Sequence, residues 1–183
     1  MTSSKIGGAP QEQPLPPDDP NRRLTHVHAD NADLEHVHLV GDTYTYLVTG
    51  RDTYGAYCLI DMHVPACGGP NPHRHEFEEM FYLLEGEVEL TFRGETRRVK
   101  AGETVNIPAN APHFFKNKSG ATTRMLCMCT PAGQEDFFRE MGTRAANRID
   151  PAPELSKEDM KAFGEKAQQL GLVYRTEFMP PDK

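Results

Sequence analysis

Hydrophobic and polar residues alternate in short segments from residue 24 to residue 130, and glycine-containing turns separate these segments. Alternation with a period of two is typical of strands that bury one face. Because no helical pattern interrupts the series, the sequence predicts an all-β antiparallel sandwich or barrel, with a polar turn over residues 50–55. The clearest segments predict strands over residues 43–49, 56–64, 77–84, 87–93, 96–100 and 122–130, the last of which is expected to end the barrel.

The two ends of the chain differ from this middle part. Residues 1–23 are polar and contain five prolines, which predicts a flexible or extended arm. Residues 24–130 are predicted to form the barrel, and residues 131–183 are predicted to form a C-terminal helical extension. Three segments of different character are therefore expected.

Two helices are predicted in the extension. The first covers residues 134–141 and is expected to end at Gly142. Ser156 and Asp159 resemble a capping box that opens a second helix, which runs to about residue 170. Gly171 stands where a C-cap residue is expected. The apolar face of the first helix would contain Phe137, Phe138 and Met141.

The charge of the chain argues against two classes of partner. The net charge is −7 and the sequence pI is about 5.6, which disfavours nucleic acids and anionic membranes. No apolar run approaches the roughly 20 residues that a spanning helix needs, and the first residues lack the pattern of a signal peptide. We therefore expect a cytoplasmic protein with neither a nucleic-acid nor a membrane partner.

The chain contains four cysteines and no Cys-x-x-Cys pair. Cys127 and Cys129 would lie on one face of a strand, where geometry disfavours a mutual disulfide. Free thiols in a reducing cytoplasm are therefore expected. We interpret Cys67, Cys127 and Cys129 as small core residues rather than as groups that support a site.

Three histidines and one glutamate stand at spacings that strands can bring together around one ion. His73 and His75 are two residues apart, so both side chains point to one face of a strand. Glu79 keeps this parity unless the chain bends near Phe77, and His113 comes from a distant strand. Three neutral imidazoles and one carboxylate suit a divalent Fe, Mn, Ni, Co, Cu or Zn ion. Four protein ligands leave a position for water or substrate, which indicates a catalytic ion.

Other histidines and acidic residues are assigned different roles. The triplets His26–His28 and His36–His38 each put two imidazoles on one strand face. A second metal site is disfavoured there, since neither triplet has a carboxylate or third imidazole at a matching offset. We therefore favour a structural or surface role. Glu76 and Glu78 are expected to point outward, with Glu78 as the alternative to Glu79 as a ligand.

The residues of the predicted site resemble the first conserved motif of the cupin superfamily. That motif contains His-x-His, a Glu after three or four residues, and a Gly after six more. His73, His75, Glu79 and Gly86 fit it without a gap. The glycine that begins the motif departs slightly, because four residues rather than five separate Gly68 from His73.

The second cupin motif also matches. Gly102, Pro108, His113 and Asn117 stand at the offsets that the motif requires. Asn110 occupies a position where glycine is usual, and Asn is the non-glycine residue that best tolerates a left-handed turn. The short spacing between the two motifs resembles that of compact single-domain bacterial cupins.

The resemblance implies a jelly-roll barrel that encloses a small-molecule substrate. It also implies that His73, His75, Glu79 and His113 bind one divalent transition-metal ion. A homodimer is implied as well, because an outward apolar row needs cover, with the N-terminal arm as the alternative cover. The row consists of Met80, Tyr82 and Leu84.

Cupins have many unrelated functions, so three hypotheses follow. The first is a metal-dependent dioxygenase for an enol, a diol or a flavonol-like substrate, with Glu79 as general base. The segment 130–142 is similar to the one that follows the barrel in quercetin-dioxygenase-like cupins, which favours this hypothesis. The second is a non-redox isomerase, lyase or decarboxylase, and the third is a non-enzymatic cupin that binds a small ligand.

Overall fold

The structure is a computed structural model that describes residues 14–180. In these residues the chain forms two antiparallel sheets and three helices. The first sheet contains β1 His36–Leu39, β2 Asp42–Val48, β3 Cys58–Val64, β5 Glu78–Glu85, β8 Thr104–Ile107, β10 Thr123–Thr130 and β11 Thr143–Arg144. The second contains β4 His73–His75, β6 Glu87–Phe92, β7 Glu95–Lys100, β9 His113–Lys116 and β12 Thr176–Phe178. The helices are α1 Gly50–Thr53, α2 Gln134–Met141 and α3 Lys157–Val173.

The strand order confirms the predicted all-β jelly-roll class with a C-terminal helical extension. Spatial neighbours follow the order β11-β1-β2-β3-β10-β5-β8 in the first sheet and β12-β4-β9-β6-β7 in the second. The chain moves between the sheets repeatedly, for example from β3 to β4 and then to β5. This exchange gives each sheet strands from both sequence motifs.

The hydrophobic core lies on the inward faces of the two sheets. Ile60, Leu83 and Met125 on the first sheet and Leu90 and Phe115 on the second are almost completely buried. The alternation of these residues with polar ones explains the burial, because every second side chain of a strand points to the same face. The burial of one such side chain stabilises the folded state by roughly 1.5–3 kcal/mol.

A two-residue turn fixes the register of the β6–β7 hairpin. Arg93 and Gly94 both have positive φ angles, of 52° and 83°. Two consecutive positive angles are typical of the type I′ turn, whose twist matches that of the flanking strands. The turn places Phe92 opposite Glu95 on the neighbouring strand. In this register the side chains of Val88 and Leu90 point into the core.

Two predictions about local structure were wrong. The segment predicted as a polar turn begins with the short helix α1, because Thr49 and the Asp52 carboxylate satisfy the free backbone groups at its start. Strand β10 is not the last strand, because β11 pairs with β1 and β12 pairs with β4. Strands of two or three residues have no detectable period, so the sequence pattern does not reveal them.

The prediction for α3 was right at its start and wrong at its end. Ser156 and Asp159 form the capping box, but the helix continues through Gly171 to Val173. Gly171 has a packing role: a Cβ atom there would lie 2.5 Å from the carbonyl oxygen of Thr176. The absence of a side chain therefore lets α3 pack closely against β12.

The predicted arm falls mostly outside the described residues, which exclude residues 1–13 and 181–183. Its remaining part, residues 14–23, is exposed and forms neither helix nor strand. No helix in the described part of the chain is long and apolar enough to cross a membrane.

Candidate metal centre

The structure brings together all four predicted ligands. The donor atoms of His73, His75, Glu79 and His113 lie within 4.8 Å of one another, and all four side chains are buried. Oε2 of Glu79 is 3.2 Å from Nε2 of His75 and 3.0 Å from Nε2 of His113. The two sequence motifs therefore meet at one point inside the barrel.

The strands explain this convergence. His73 and His75 alternate with exposed Arg74 on β4, and His73 pairs directly with His113 on β9. The chain then bends at residues 76–77 and enters the opposite sheet, where Glu79 lies on β5. The expectation that Glu79 keeps the parity of His73 and His75 was wrong, because the chain bends near Phe77, the alternative that the sequence left open. The carboxylate therefore faces the imidazoles across the barrel instead of along one strand.

Backbone carbonyl groups fix the orientation of all three imidazoles. Nδ1 of His73 donates to the carbonyl of Asn71 at 2.8 Å. Nδ1 of His75 donates to Phe77 at 3.0 Å, and Nδ1 of His113 donates to Ala111 at 2.9 Å. Since a carbonyl oxygen only accepts, each Nδ1 carries the proton, and a neutral ring directs the lone pair of Nε2 toward Glu79.

This donor set fits a metal ion. Three Nε2 lone pairs and a carboxylate oxygen cannot satisfy one another without an additional proton or a cation between them. Metal-binding histidines commonly donate their second ring N–H to a carbonyl group, as all three do here. Imidazole and carboxylate donors suit a divalent ion of the first transition series. The buried cluster therefore has the chemistry of a metal site.

Electrostatics within the cluster favour a neutral His73 and an ionised Glu79. Burial and the neighbouring His113 lower the pKa of His73 to about 3. Burial raises the pKa of Glu79. His113 and His75 donate to its carboxylate when their Nε2 atoms carry the additional proton, and these bonds outweigh burial and hold the pKa of Glu79 well below its usual range. Burial lowers the pKa of His113, yet its bond to Glu79 dominates and raises it. Metal binding requires a carboxylate and neutral imidazoles, so an ion bound here would have to displace the proton that the raised pKa of His113 favours.

A cavity of about 790 Å³ lies beside the cluster and is lined by His73 and Glu79. Lys116 also lines it, and its Nζ donates to the carbonyl of Gly69 at 2.5 Å. The volume falls in the range that is usual for small-molecule sites. The walls are strongly aromatic and include Phe81, Phe115, Phe137, Phe138, Phe163 and Phe178.

Two cavity-lining residues hold a second buried carboxylate, which the sequence analysis did not identify. Asp42 accepts hydrogen bonds from Tyr44 Oη at 3.2 Å and from the Gly69 amide at 3.3 Å. Burial raises the pKa of Asp42 to about 7. No spacing rule links residue 42 to residue 69, so only the fold reveals the contact.

The other histidines and Glu78 lie outside the cluster. His26 and His28 are exposed. His36 and His38 are buried on β1, where their Nδ1 atoms contact Oγ1 of Thr45 and Thr43. Glu78 accepts hydrogen bonds from the side chain of Asn106 and the amide of Ala109. Their positions agree with the structural roles favoured for His36 and His38, and the cluster contains Glu79 rather than Glu78.

Sequence reasoning missed two features around the centre. Cys127 was interpreted as a core residue only, yet its Sγ contacts Oε1 of Glu79 at 3.2 Å. A hydrogen bond with Cys129 lowers the pKa of the Cys127 thiol, but burial and the Glu79 charge raise it to about 12. The second feature is the cavity wall formed by α3 and β12, where Phe178 pairs with His73 across strands. The burial of Cys127 was predictable, but its contact with Glu79 was not. The interpretation of Cys67 as a core residue was wrong, because Cys67 lies in the loop between β3 and β4 and is exposed.

Comparisons with known proteins agree with this geometry. The chain is similar to the quercetin 2,3-dioxygenase of Bacillus subtilis (strain 168), with 29% identity over 115 residues. The aligned region covers 62% of this chain and 34% of the relative. The chain thus spans about a third of the length of that enzyme.

Two solved structures have a similar fold. The polyketide cyclase RemF from Streptomyces resistomycificus gives a TM-score of 0.54 at 26% identity, over 76% of this chain and 92% of RemF. A predicted oxalate decarboxylase from Thermotoga maritima gives a TM-score of 0.53 at 18% identity, over 58% of this chain and 98% of that chain. At 18% identity the likeness concerns the fold alone.

A family model described as Cupin domain matches residues 60–129. This region contains all four residues of the buried cluster and most of the strands that position them. Its limits lie in β3 and β10, which pair side by side in the first sheet. The sequence motifs, the two antiparallel sheets and these matches together show that residues 60–129 form a cupin domain.

Proposed function

We propose that the protein is a metal-dependent dioxygenase that acts on a small enol, diol or flavonol-like substrate. The observation that carries this proposal is the convergence of three Nε2 atoms and a carboxylate beside an aromatic cavity of about 790 Å³. The proposed ligands of one divalent transition-metal ion are His73, His75, Glu79 and His113. The similarity to a quercetin dioxygenase supports the choice of reaction class.

The cavity supports an aromatic, oxygen-rich substrate. Phenylalanine side chains on β5, β9, α2, α3 and β12 provide apolar walls for a planar ring. Lys116 gives the lining a positive charge that complements an enolate, phenolate or carboxylate oxygen. A substrate with one polar group at the cluster and a second, negatively charged group at Lys116 would bind to both ends of the lining.

Glu79 is the proposed general base. Its carboxylate lines the cavity and is ionised at neutral pH because His75 and His113 hold its pKa low. In this position it can take the proton from a substrate hydroxyl and hold it at Oε2, since Oε1 accepts from the Cys127 thiol. A bound redox-active ion would supply a site for a substrate oxygen and a path for electrons to O2.

Oxygen uptake tests this proposal. The protein, loaded separately with Fe, Mn, Co, Ni, Cu or Zn, would be assayed with flavonols, diketones and catechol-like compounds. Glu79→Gln should lower uptake by at least about 100-fold at equal metal occupancy, because it removes the base. Glu78→Gln is the matched control and should retain uptake, since Glu78 bonds Asn106 and Ala109 instead of the cluster. Turnover at the same rate without oxygen would contradict the proposal.

Non-redox chemistry is the second candidate, and the similarity to the polyketide cyclase RemF over 92% of its length favours it. A cyclisation also begins with removal of a proton, which Glu79 could perform without O2. Metal-dependent product formation under anaerobic conditions would identify this class. Ligand-induced thermal stabilisation without turnover would instead indicate a binding protein.

We also propose that the chain has three parts: an arm of residues 1–23, a barrel of residues 24–130 and an extension of residues 131–183. The homodimer and the cytoplasmic location also remain predictions. Tyr82, in the outward apolar row of β5, is 38% exposed. Sedimentation of the purified protein would test whether this face is covered by a second copy.

A further inference from the structure

The two oxygens of the Glu79 carboxylate have different surroundings. Oε2 faces Nε2 of His75 and His113, at 3.2 and 3.0 Å. Oε1 faces the thiols of Cys127 and Cys129, at 3.2 and 3.9 Å. Within residues 14–180, these thiols are the hydrogen-bond donors that the structure gives to Oε1. One oxygen therefore points to the histidines, and the other is engaged by sulfur.

The sheet fixes the thiols in this position. Strand β10 pairs with β5, so that Cys129 lies opposite Glu79 and Cys127 lies opposite Phe81. Both thiols are completely buried, and their Sγ atoms are 3.7 Å apart, too far for a disulfide. A carboxylate oxygen only accepts, so the contact at 3.2 Å requires Cys127 to donate its S–H to Oε1.

We propose that Cys127 is a positioning residue that holds Oε1 of Glu79, so that Oε2 alone is presented to the ion. This inference rests on the proposed metal site. A carboxylate without a partner on its second oxygen can turn and offer both oxygens to a cation. The S–H of Cys127 occupies Oε1 and opposes that rotation. Because a thiol is a weak donor, the hold is weaker than a serine hydroxyl would give.

Cobalt binding tests the proposal, since the visible spectrum of Co²⁺ reports its coordination number. The probe is Co²⁺ alone, added without substrate, and its affinity is measured by competition with a chelator. Cys127→Ala should weaken Co²⁺ binding by about 10–100-fold, the usual effect of removing a group that orients a ligand. It should also alter the visible spectrum. Cys127→Ser keeps a donor and should restore most of both properties.

Two variants serve as controls. Cys129→Ala is matched in strand and chemistry, but its contact with Oε1 is long at 3.9 Å, so affinity should stay within about threefold. Cys67→Ser removes the exposed thiol and should change neither property. Circular dichroism of the metal-free variants would show that each one folds.

Three results would overturn the proposal. One is a Cys127→Ala variant with the affinity and spectrum of the unmodified protein. Another is a sulfur-to-cobalt charge-transfer band that disappears in Cys127→Ala, because the thiol would then be a ligand. The third is a lack of Co²⁺ binding by the unmodified protein, which would remove the metal site as well. Failure of the dioxygenase proposal is distinguishable, because Co²⁺ binding is measured without O2 consumption or substrate.

Discussion

Two histidine pairs with the same spacing have different surroundings in this molecule. His73 and His75 direct their Nδ1 protons to backbone carbonyls, which leaves both Nε2 atoms free to face Glu79 and its neighbours. His36 and His38 direct Nδ1 to threonine hydroxyls on β2, and Nε2 of His38 contacts Asp150 at 3.3 Å. In the described residues, the pair whose Nδ1 atoms bond to backbone carbonyls is the one whose Nε2 atoms meet a third imidazole and a carboxylate.

Removing one histidine from each pair should produce the largest difference. His75→Ala should lower metal affinity by more than about 100-fold, because losing a proposed ligand exceeds the loss of an orienting group. His38→Ala should retain the metal content of the unmodified protein, since His38 does not contact the cluster. Elemental analysis of the purified variants gives the measurement. Equal occupancy in both would contradict the distinction.

A fall in pH should lower the free energy of unfolding of the metal-free protein, mainly through His73. The pKa of His73 is lowered to about 3 in the folded state, whereas an unfolded histidine titrates near 6.5. Between these values the unfolded state binds more protons, so stability falls as pH decreases from 6.5 toward 3. At pH 5 the loss from His73 should be about 2 kcal/mol.

Urea denaturation at pH 7 and pH 5 would measure this loss. His73→Gln should remove most of it, because glutamine does not titrate. Burial also lowers the pKa of His36, so His36→Gln should reduce the acid sensitivity in the same direction. An unchanged pH dependence in His73→Gln would show that His73 is not kept neutral by the fold.

The smallest effect concerns Thr43, one of the two threonines whose hydroxyl groups contact His36 and His38. Oγ1 of Thr43 contacts Nδ1 of His38 at 3.1 Å and donates to the carbonyl of Asp150 at 3.0 Å. Thr43→Val should lower the free energy of unfolding by about 1 kcal/mol, because the buried His38 ring and the half-buried carbonyl of Asp150 each lose a hydrogen bond. Metal content should not change. A loss of metal in Thr43→Val would instead show that His36 and His38 influence the cluster of His73, His75, Glu79 and His113.

The sequence predicted the parts of the molecule whose signals are local. Alternation predicted most strands, and motif spacing identified the four residues that the structure brings together. Asn110 has a φ of 66°, as its position in place of glycine predicts. Phe137, Phe138 and Met141 share the buried face of α2 because a period of 3.6 residues is strong even over two turns.

Features that depend on contacts between distant segments were not predictable. Cys127 and Glu79 are separated by 48 residues and meet only because β10 pairs with β5. Glycine is typical of the end of a helix, yet Gly171 lies inside α3, where it packs tightly against Thr176. The short strand β12 has no period to detect, although it places Phe178 beside His73.

The position of α3 and β12 has a consequence for how the protein matures. The residues that form the centre, 73–113, leave the ribosome before the segment 157–178 that walls the cavity. Because chains are synthesised from the N-terminus, the four donors are made before the residues that complete the cavity wall. The cavity beside the cluster therefore acquires its final wall only when residues 157–178 have been synthesised.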